Sequence, residues 1–245
     1  MKLAPAATAI TLALISQLAG AGPADYIYTP AVEYGEREID FKAGSAKLRD
    51  TPRESAMSIG FGYGAKDWWF TEIYAKYKRI SPDGTFLDAA EWENKFQLTE
   101  PGEYPVDVGF LLEIERPRDH AEGWEVKWGP LLQKDLGKWQ LNGNILFVRA
   151  YRSDTPNDLS LEYQWQAKYR WMQALELGLQ GFGEVGKWDD WAPSGERSRR
   201  AGPAVFGKIP LGQDRTAIRY NAAWLIGKDQ SIASHTVRLQ VEYEF

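Results

Sequence analysis

The feature that most constrains this chain is an alternation of apolar and polar side chains that recurs from residue 57 to the last residue. In the closing stretch HTVRLQVEYEF, apolar or aromatic side chains occupy Val237, Leu239, Val241, Tyr243 and Phe245, and polar ones stand between them. A period of two predicts a β-strand with one apolar and one polar face. Similar runs cover 57–63, 69–77, 106–115, 161–171 and 218–226.

The length and number of these runs favour a membrane barrel. They last about 9–11 residues, which exceeds a typical soluble strand and suits a tilted strand that crosses a membrane. Weaker strand patterns lie near 31–43, 84–98, 123–133, 139–150, 176–186 and 201–209. The total is about twelve, and bacterial single-chain barrels have even strand numbers. We therefore predict an all-β fold, a closed antiparallel up-and-down transmembrane β-barrel, with a bulge or strand end at Pro130 and at Pro203.

Composition excludes several other classes. Cysteine is absent, which removes disulfides, thiolate catalysis and cysteine-based zinc sites. The formal net charge of −5 argues against a nucleic-acid partner. Beyond the first residues, no stretch approaches the roughly 18 consecutive apolar residues that a helical membrane span needs. We predict no cofactor, and nothing in the spacing of acidic residues indicates a metal site.

The first residues have the pattern of a secretory signal peptide. Lys2 precedes an uncharged Ala/Leu/Ile/Thr-rich stretch, 3–18, and Ala19-Gly20-Ala21 gives small residues at a cleavage position. We predict a signal peptide over 1–21, with Ala24 as the alternative cleavage position, and a single barrel domain over 25–245.

The connections between the predicted strands alternate in length. Short ones are predicted at 64–67, 99–103, 134–138 and 172–175, and mostly longer ones at 44–53, 79–85, 116–122, 150–159, 186–200 and 227–234. If both termini face the periplasm, the short turns fall on that side and the longer loops outside, as in outer-membrane barrels. The connection 210–215 is the exception, because it is a longer turn on the inner side.

Alternation alone also fits a soluble sandwich, in which the apolar faces meet in a shared core. The aromatic residues favour the membrane barrel, because Trp139 and Trp171 fall near predicted inner ends and Trp124 and Trp224 toward outer ends. Amphipathic rings concentrate at the two membrane interfaces. A strand that continues to the last residue also suits a closed barrel, which leaves no sheet edge in lipid.

The C-terminal residues resemble the assembly signal of Gram-negative outer-membrane β-barrel proteins. They carry a final Phe245, an aromatic Tyr243 and apolar residues at alternate places back to Val237. The resemblance implies transport across the periplasm, insertion by the barrel-assembly machinery and a location in the bacterial outer membrane among lipid and lipopolysaccharide. It extends over about nine residues and identifies no specific subfamily.

The polar face of the strands is predicted to line the lumen with both signs of charge, at Glu72, Lys76, Glu113, Glu162, Lys168, Arg170, Arg219, Arg238 and Glu242. Charges in an enclosed interior need water or paired neighbours. A hydrated lumen would make a narrow channel for small solutes. Interlocked charges would make a plugged barrel that acts through its outer loops. About twelve strands leave room for either outcome.

A lipid hydrolase is the third function considered, and we predict that the protein is not an enzyme. Such enzymes need a serine activated by a histidine, and the chain has two histidines, His120 and His235. Ser234 adjoins His235, but neighbouring strand residues point to opposite faces. The loop 186–200 contains Trp188, Trp191 and three arginines, which could contact lipopolysaccharide phosphates or simply rest at the rim.

Overall fold

The computed structural model describes residues 22–49, 52–80, 84–155, 157–212, 215–229 and 232–245, and the predicted signal peptide 1–21 lies outside them. Within these residues the chain forms twelve β-strands and one short 3-10 helix, His120–Glu122. The strands are β1 Arg37–Leu48, β2 Glu54–Lys66, β3 Trp69–Ile80, β4 Gly84–Gln97, β5 Asp107–Pro117, β6 Trp124–Leu136, β7 Trp139–Tyr151, β8 Ser160–Met172, β9 Leu175–Lys187, β10 Ser198–Pro210, β11 Ala217–Asp229 and β12 Ile232–Glu244.

The strands close into a single antiparallel barrel, which confirms the predicted fold class. Each strand pairs with its neighbours in sequence, and β1 pairs with β12 from Glu38 opposite Glu244 to Leu48 opposite Ser234. The backbone N–H of Phe245 adds a hydrogen bond to the carbonyl of Arg37 at 2.8 Å. We call the end of the barrel at which β1 begins and β12 ends the near end, and the opposite one the far end.

The alternation places polar side chains inside and apolar side chains outside. On β12, Thr236, Arg238 and Gln240 are buried in the interior, whereas Val237 and Leu239 are exposed on the outer surface. The same arrangement on β3 leaves Ile73 61% exposed, and Ile59 and Trp92 are also exposed. A soluble protein hides such residues, so this continuous apolar exterior is the surface of a barrel that contacts lipid.

Two features of the strands differ from the prediction. The first strand begins at Arg37, whereas the sequence pattern placed it over 31–43, because the preceding residues enter the lumen. Pro130 and Pro203 neither end their strands nor shift the register. On one side the pairing skips Gly129-Pro130 and Gly202-Pro203 and then resumes in the same register. A missing proline N–H therefore interrupts only the local ladder.

Most connections at the near end are tight, at 67–68, 137–138 and 173–174. The connection 98–106 is longer than the predicted turn at 99–103. At the far end the long loops are 152–159 and 188–197, and the strands beside 81–83 and 230–231 extend further than predicted. In the described part of the chain, no helix is both long and apolar enough to cross a membrane.

We expect Ile73→Arg to lower the free energy of unfolding in phosphatidylcholine vesicles by about 2–4 kcal/mol, because the charge would face hydrocarbon. Denaturant titration of the refolded protein measures this value. Ile73→Leu is the control and leaves stability unchanged. A change within about 0.5 kcal/mol for Ile73→Arg, as at an ordinary water-exposed position, would contradict the lipid-facing assignment.

Candidate functional site

The lumen is occupied by the residues that precede β1, 22–36, which we call the lumen segment. Val32 donates its backbone N–H to Gln97 Oε1 at 2.9 Å near the near end. Further along, Pro30 lies against Gly109, and Pro23 lies against Gly44 in the half of β1 that is closer to the far end. The segment therefore extends from the near-end opening to the middle of the barrel.

Glycines on the wall make this close approach feasible. An ideal Cβ on Gly44 would lie 1.8 Å from the carbonyl oxygen of Pro23, and one on Gly64 would lie 1.9 Å from the carbonyl oxygen of Glu33. Both neighbours are backbone atoms, which cannot move aside as a flexible side chain would. The inner wall thus has no side chain at the two points where the backbone of the lumen segment passes.

Two tyrosines fix one side of the lumen segment. The Tyr28 hydroxyl donates to Glu113 Oε2 at 2.7 Å, and the Tyr26 hydroxyl donates to Glu93 Oε2. Asn144 Nδ2 donates to the backbone carbonyl of Tyr28 at 3.0 Å. The rings of both tyrosines pack beside the buried, inward-facing Leu111, Leu131 and Leu146. Phenols suit this position, because the ring is buried while the hydroxyl reaches a wall carboxylate.

The opposite side of the lumen segment is apolar. Ile27 is buried against Phe182 and Phe206, with Ala204, Ala223 and Leu225 completing the cluster. These wall residues belong to β9, β10 and β11, whereas the hydrogen-bond and packing partners of the tyrosines named above belong to β4–β7. The segment is therefore held between two walls, with hydrogen-bonded phenols on one side and hydrophobic packing on the other.

A buried cation sits between aromatic rings next to the lumen segment. Lys42 Nζ lies 3.4 Å from the ring centroid of Tyr26 and 3.7 Å from that of Tyr74. It also pairs with Asp40 at 3.2 Å, and Asp40 in turn accepts a hydrogen bond from the Tyr74 hydroxyl at 2.8 Å. The ammonium is thus compensated by one carboxylate and two ring faces in an enclosed position.

The nine charged residues that the sequence assigned to the lumen all lie at inward-facing strand positions: Glu72, Lys76, Glu113, Glu162, Lys168, Arg170, Arg219, Arg238 and Glu242. Their burial varies, because Glu72, Glu113, Glu162 and Arg238 are fully enclosed whereas Arg170 and Arg219 near the near end retain solvent access. Their role in solute passage stays a prediction.

Elsewhere on the inner wall, lysines bridge carboxylates of different strands. Lys127 Nζ lies 3.7 Å from both Glu113 Oε1 and Glu162 Oε2. Lys76 Nζ binds Glu91 Oε2 at 2.7 Å and also binds Glu115. The carboxylates of Glu91, Glu113 and Glu115 converge closely enough to hold a cation. The ammonium of Lys76 already binds two of these three carboxylates, and the ammonium of Lys127 lies near the third.

Another sector of the wall is lined by amides. Gln180 donates to Gln166 at 2.7 Å, Gln166 donates to Asn142 at 3.3 Å, and Gln140 donates to Asn142 at 2.9 Å. Arg170 extends this chain at the near end through Gln140 Oε1 at 2.6 Å and Asp135 at 2.8 Å. Amides both donate and accept, so this sector presents a polar surface with little net charge.

A cavity of about 300 Å³ opens at the near end beside the exit of the lumen segment. Its lining includes Glu36, Lys208, Arg215 and Glu244. Lys208 Nζ pairs with Glu244 at 2.6 Å, and Arg215 pairs with Glu33 at 3.1 Å. Burial raises the pKa of the Glu36 carboxyl, and nearby Lys95 opposes that shift. The near-end opening is therefore a charged, partly solvated cavity.

The candidate hydrolase residues are separated as strand geometry predicts. Ser234 is buried toward the interior, whereas His235 points outward and stacks on Trp224 with ring centroids 6.4 Å apart. His120 lies in the 3-10 turn of the 118–123 connection. In the loop 188–197, the Arg197 guanidinium lies 5.4 Å from the ring centroid of Trp191, within the range of a cation–π contact, and its Nε donates to the carbonyl of Ala192.

Sequence reasoning missed the lumen segment, because it assigned 31–36 to a strand and gave no role to Tyr26, Ile27 and Tyr28. A signal was present in the wall. Gly44 and Gly64 occupy inward positions of β1 and β2, where a polar side chain would otherwise line the lumen. Bare inward positions indicate that another backbone approaches, but they do not identify which one.

The comparisons with known proteins agree with this architecture. No protein-family model and no curated protein matches the chain. Among solved structures, NanC porin matches with a TM-score of 0.59 at 10% identity, over 84% of this chain and all of that one (100%). An outer-membrane channel from Pseudomonas putida F1 matches with a TM-score of 0.58 at 13% identity, covering 90% of this chain and 99% of that one.

A third match is the translocator domain of the autotransporter NalP from Neisseria meningitidis, with a TM-score of 0.51 at 11% identity over 87% of this chain and 89% of that one. The chain therefore has the fold of outer-membrane β-barrel proteins. This fold and the apolar exterior around the whole barrel place it in the bacterial outer membrane.

We expect a cysteine placed in the lumen segment to be protected from labelling. The chain has no cysteine, so Ile27→Cys gives a single site. In the folded protein it should react with a water-soluble maleimide at least about a hundredfold more slowly than the control Asp154→Cys in an exposed loop, because reaction needs local opening.

The same measurement includes a variant that weakens the packing of the lumen segment against the wall. Adding Gly44→Val to Ile27→Cys should accelerate labelling, because the new side chain collides with the backbone of Pro23. If Ile27→Cys reacts as quickly as Asp154→Cys in the folded protein, the lumen segment is not seated in the lumen.

Proposed function

We propose that this protein is a channel for small polar solutes whose lumen is closed by its own lumen segment. The observation that carries the proposal is the way in which the segment is held. Residues 22–36 contain no strand, and their backbone-to-backbone hydrogen bonds to the strands, among the described residues, are confined to Gly35 and Glu36, which bond Gly64. The segment is attached mainly by the side chains of Tyr26, Ile27 and Tyr28. Such a segment can leave without unpairing any strand of the barrel.

The wall behind the segment is suited to water. Buried polar atoms such as Glu93 Oε1, Gln180 Oε1 and Arg238 Nη1 have no hydrogen-bond partner among the described residues. Buried polar atoms in folded proteins are satisfied by protein groups or by ordered water. These unpaired polar atoms support a water-containing channel over a barrel that is interlocked throughout.

The names of the structural neighbours point the same way. NanC is called a porin, and the Pseudomonas putida F1 protein is called an outer-membrane channel. The inner wall of this chain is rich in carboxylates on β3, β4 and β5, at Glu72, Glu91, Glu93, Glu113 and Glu115. We infer a preference for cationic over anionic solutes of small size, because carboxylates outnumber lysines along the inner face of these three strands.

The second candidate function is a permanently closed barrel that acts through its far-end loops. The ion pairs of Lys127 and Lys76 favour it, because they connect carboxylates of several neighbouring strands on the inner wall. Hydrolase activity receives no support from the separated Ser234 and His235.

Conductance in planar bilayers tests the proposal. We expect the chain that retains residues 22–36 to remain closed with brief openings. A variant that lacks 22–34 should conduct in steady single-channel steps with a reversal potential that indicates a preference for cations. Heat-modifiable migration on gels confirms that each variant is folded.

A disulfide lock serves as the matched control. An ideal Cβ on Gly109 would lie 2.8 Å from Cβ of Pro30, and a disulfide needs about 3.5–4.5 Å, so a small shift suffices for Pro30→Cys/Gly109→Cys. The oxidised form should be silent, and reduction should restore the brief openings. A folded deletion variant that never conducts would refute the channel and favour the closed barrel.

A further inference from the structure

Basic side chains form a continuous row on the outer wall at the far end. They occupy neighbouring outward-facing positions on six adjacent strands or their ends, from β10 through β11, β12, β1 and β2 to β3. We call this row the basic belt, and its members are Arg199, Lys228, His235, Lys47, Arg53 and Arg79.

Strand register shows that the belt is continuous. Arg199 pairs directly with Lys228 across β10 and β11, and His235 pairs with Lys47 across β12 and β1. Arg53 Nη1 donates to Ser45 Oγ at 3.4 Å on the same outer face. Arg79 pairs with Ser55 across β2 and β3. Paired Cα atoms in antiparallel strands are about 4.5–5.5 Å apart, so one extended anion can reach several of these groups.

The pairing of Arg199 with Lys228 is unfavourable on its own. Like charges directly opposite each other on one sheet face destabilise the pair of strands. Both side chains are exposed. The next outward-facing positions toward the middle of the barrel, Ala201 and Ile226, are apolar. An external anion would remove the repulsion.

The belt lies at the height where lipid headgroups begin. Beside His235 and one step nearer the middle of the barrel, the outer surface consists of Ile226, Trp224 and Val237, all strongly exposed. The ring of Trp224 stacks on His235 in the belt. An aromatic residue between an apolar band and a row of cations marks a membrane interface.

The near end of the same strands has a different character. There Arg37 stands among the outward-facing aromatic residues Tyr63, Tyr243 and Phe245. On the other half of the far rim, Arg116 and Arg149 lie over the rings of Trp124 and Tyr151, and Lys187 is paired with Asp158. The concentration of cations is therefore specific to one end and to one half of the barrel.

We propose that the basic belt binds the phosphates of lipid A, the lipid anchor of lipopolysaccharide, on the outer leaflet. The two phosphates of lipid A provide the anions that Arg199 and Lys228 need, through charge-assisted hydrogen bonds. Its acyl chains lie against Trp224, Ile226 and Val237. This site is independent of the channel, and it orients the far end toward the cell exterior.

The test is a titration of refolded protein in detergent with bisphosphorylated lipid A, followed by native mass spectrometry. Arg199→Gln/Lys228→Gln should weaken binding by about tenfold, because two charge-assisted contacts are lost. Arg199→Lys should retain most of the affinity. The matched controls Arg149→Gln and Arg37→Gln, which remove exposed outward cations elsewhere, should change it less than about twofold.

Two further ligands decide the chemistry. Dephosphorylated lipid A should bind the unmodified protein about as weakly as bisphosphorylated lipid A binds the double variant, and phosphatidylglycerol should not replace lipid A at equal concentration. The assignment is overturned if the double variant binds lipid A like the unmodified protein. It is also overturned if dephosphorylated lipid A or phosphatidylglycerol binds equally well.

Discussion

The structure depends on complete hydrogen bonding of the backbone in a medium that offers no partners. Lipid tails cannot pair with an exposed N–H or carbonyl, so every strand needs two neighbours and the first strand must meet the last. The seam between β1 and β12 meets this requirement from Glu38 to Leu48. Once the sheet is closed, side-chain alternation has only one assignment, with apolar residues toward lipid and ionisable residues toward the interior. The lumen, its ion pairs and the outer belt all follow from this closure.

Closure creates a second problem, which is a narrow interior full of charge. The protein meets it in two ways. Wall lysines neutralise wall carboxylates locally, as Lys127 does between Glu113 and Glu162. The remaining space is filled by the lumen segment, whose phenols donate to carboxylates and whose Ile27 fills an apolar patch made by Phe182 and Phe206. Exposure of this apolar patch to water would be unfavourable. The patch is therefore complementary to Ile27, which covers it.

The barrel could be predicted from sequence because one physical rule, a period of two over long runs, governs nearly every strand. The number of strands follows from that rule, and closure and the inward direction of Glu72 or Arg238 follow once the length of the runs and the placement of the aromatic residues favour a membrane barrel. The lumen segment could not be predicted, because Tyr26, Ile27 and Tyr28 have no period and find their partners through contacts more than sixty residues away, such as Tyr26 with Glu93. Pro130 and Pro203 were misjudged for a related reason, since the neighbouring strands keep the register when one bond is lost.

The chemistry of the lumen segment suits an element that can be displaced. Its main contacts use neutral hydroxyls and an aliphatic side chain, whereas the neighbouring charges are paired within the wall, Lys42 with Asp40 and Lys76 with Glu91. Departure of the segment would therefore leave the wall ion pairs intact and expose carboxylates that water can solvate. A segment held by its own buried ion pairs would instead leave bare charges behind, at a cost of several kcal/mol each. The wall therefore keeps these ion pairs without the segment, whose departure would remove the phenols from Glu93 and Glu113, the Tyr26 ring from Lys42 and the negative charge of Asp25 from the surroundings of Arg238.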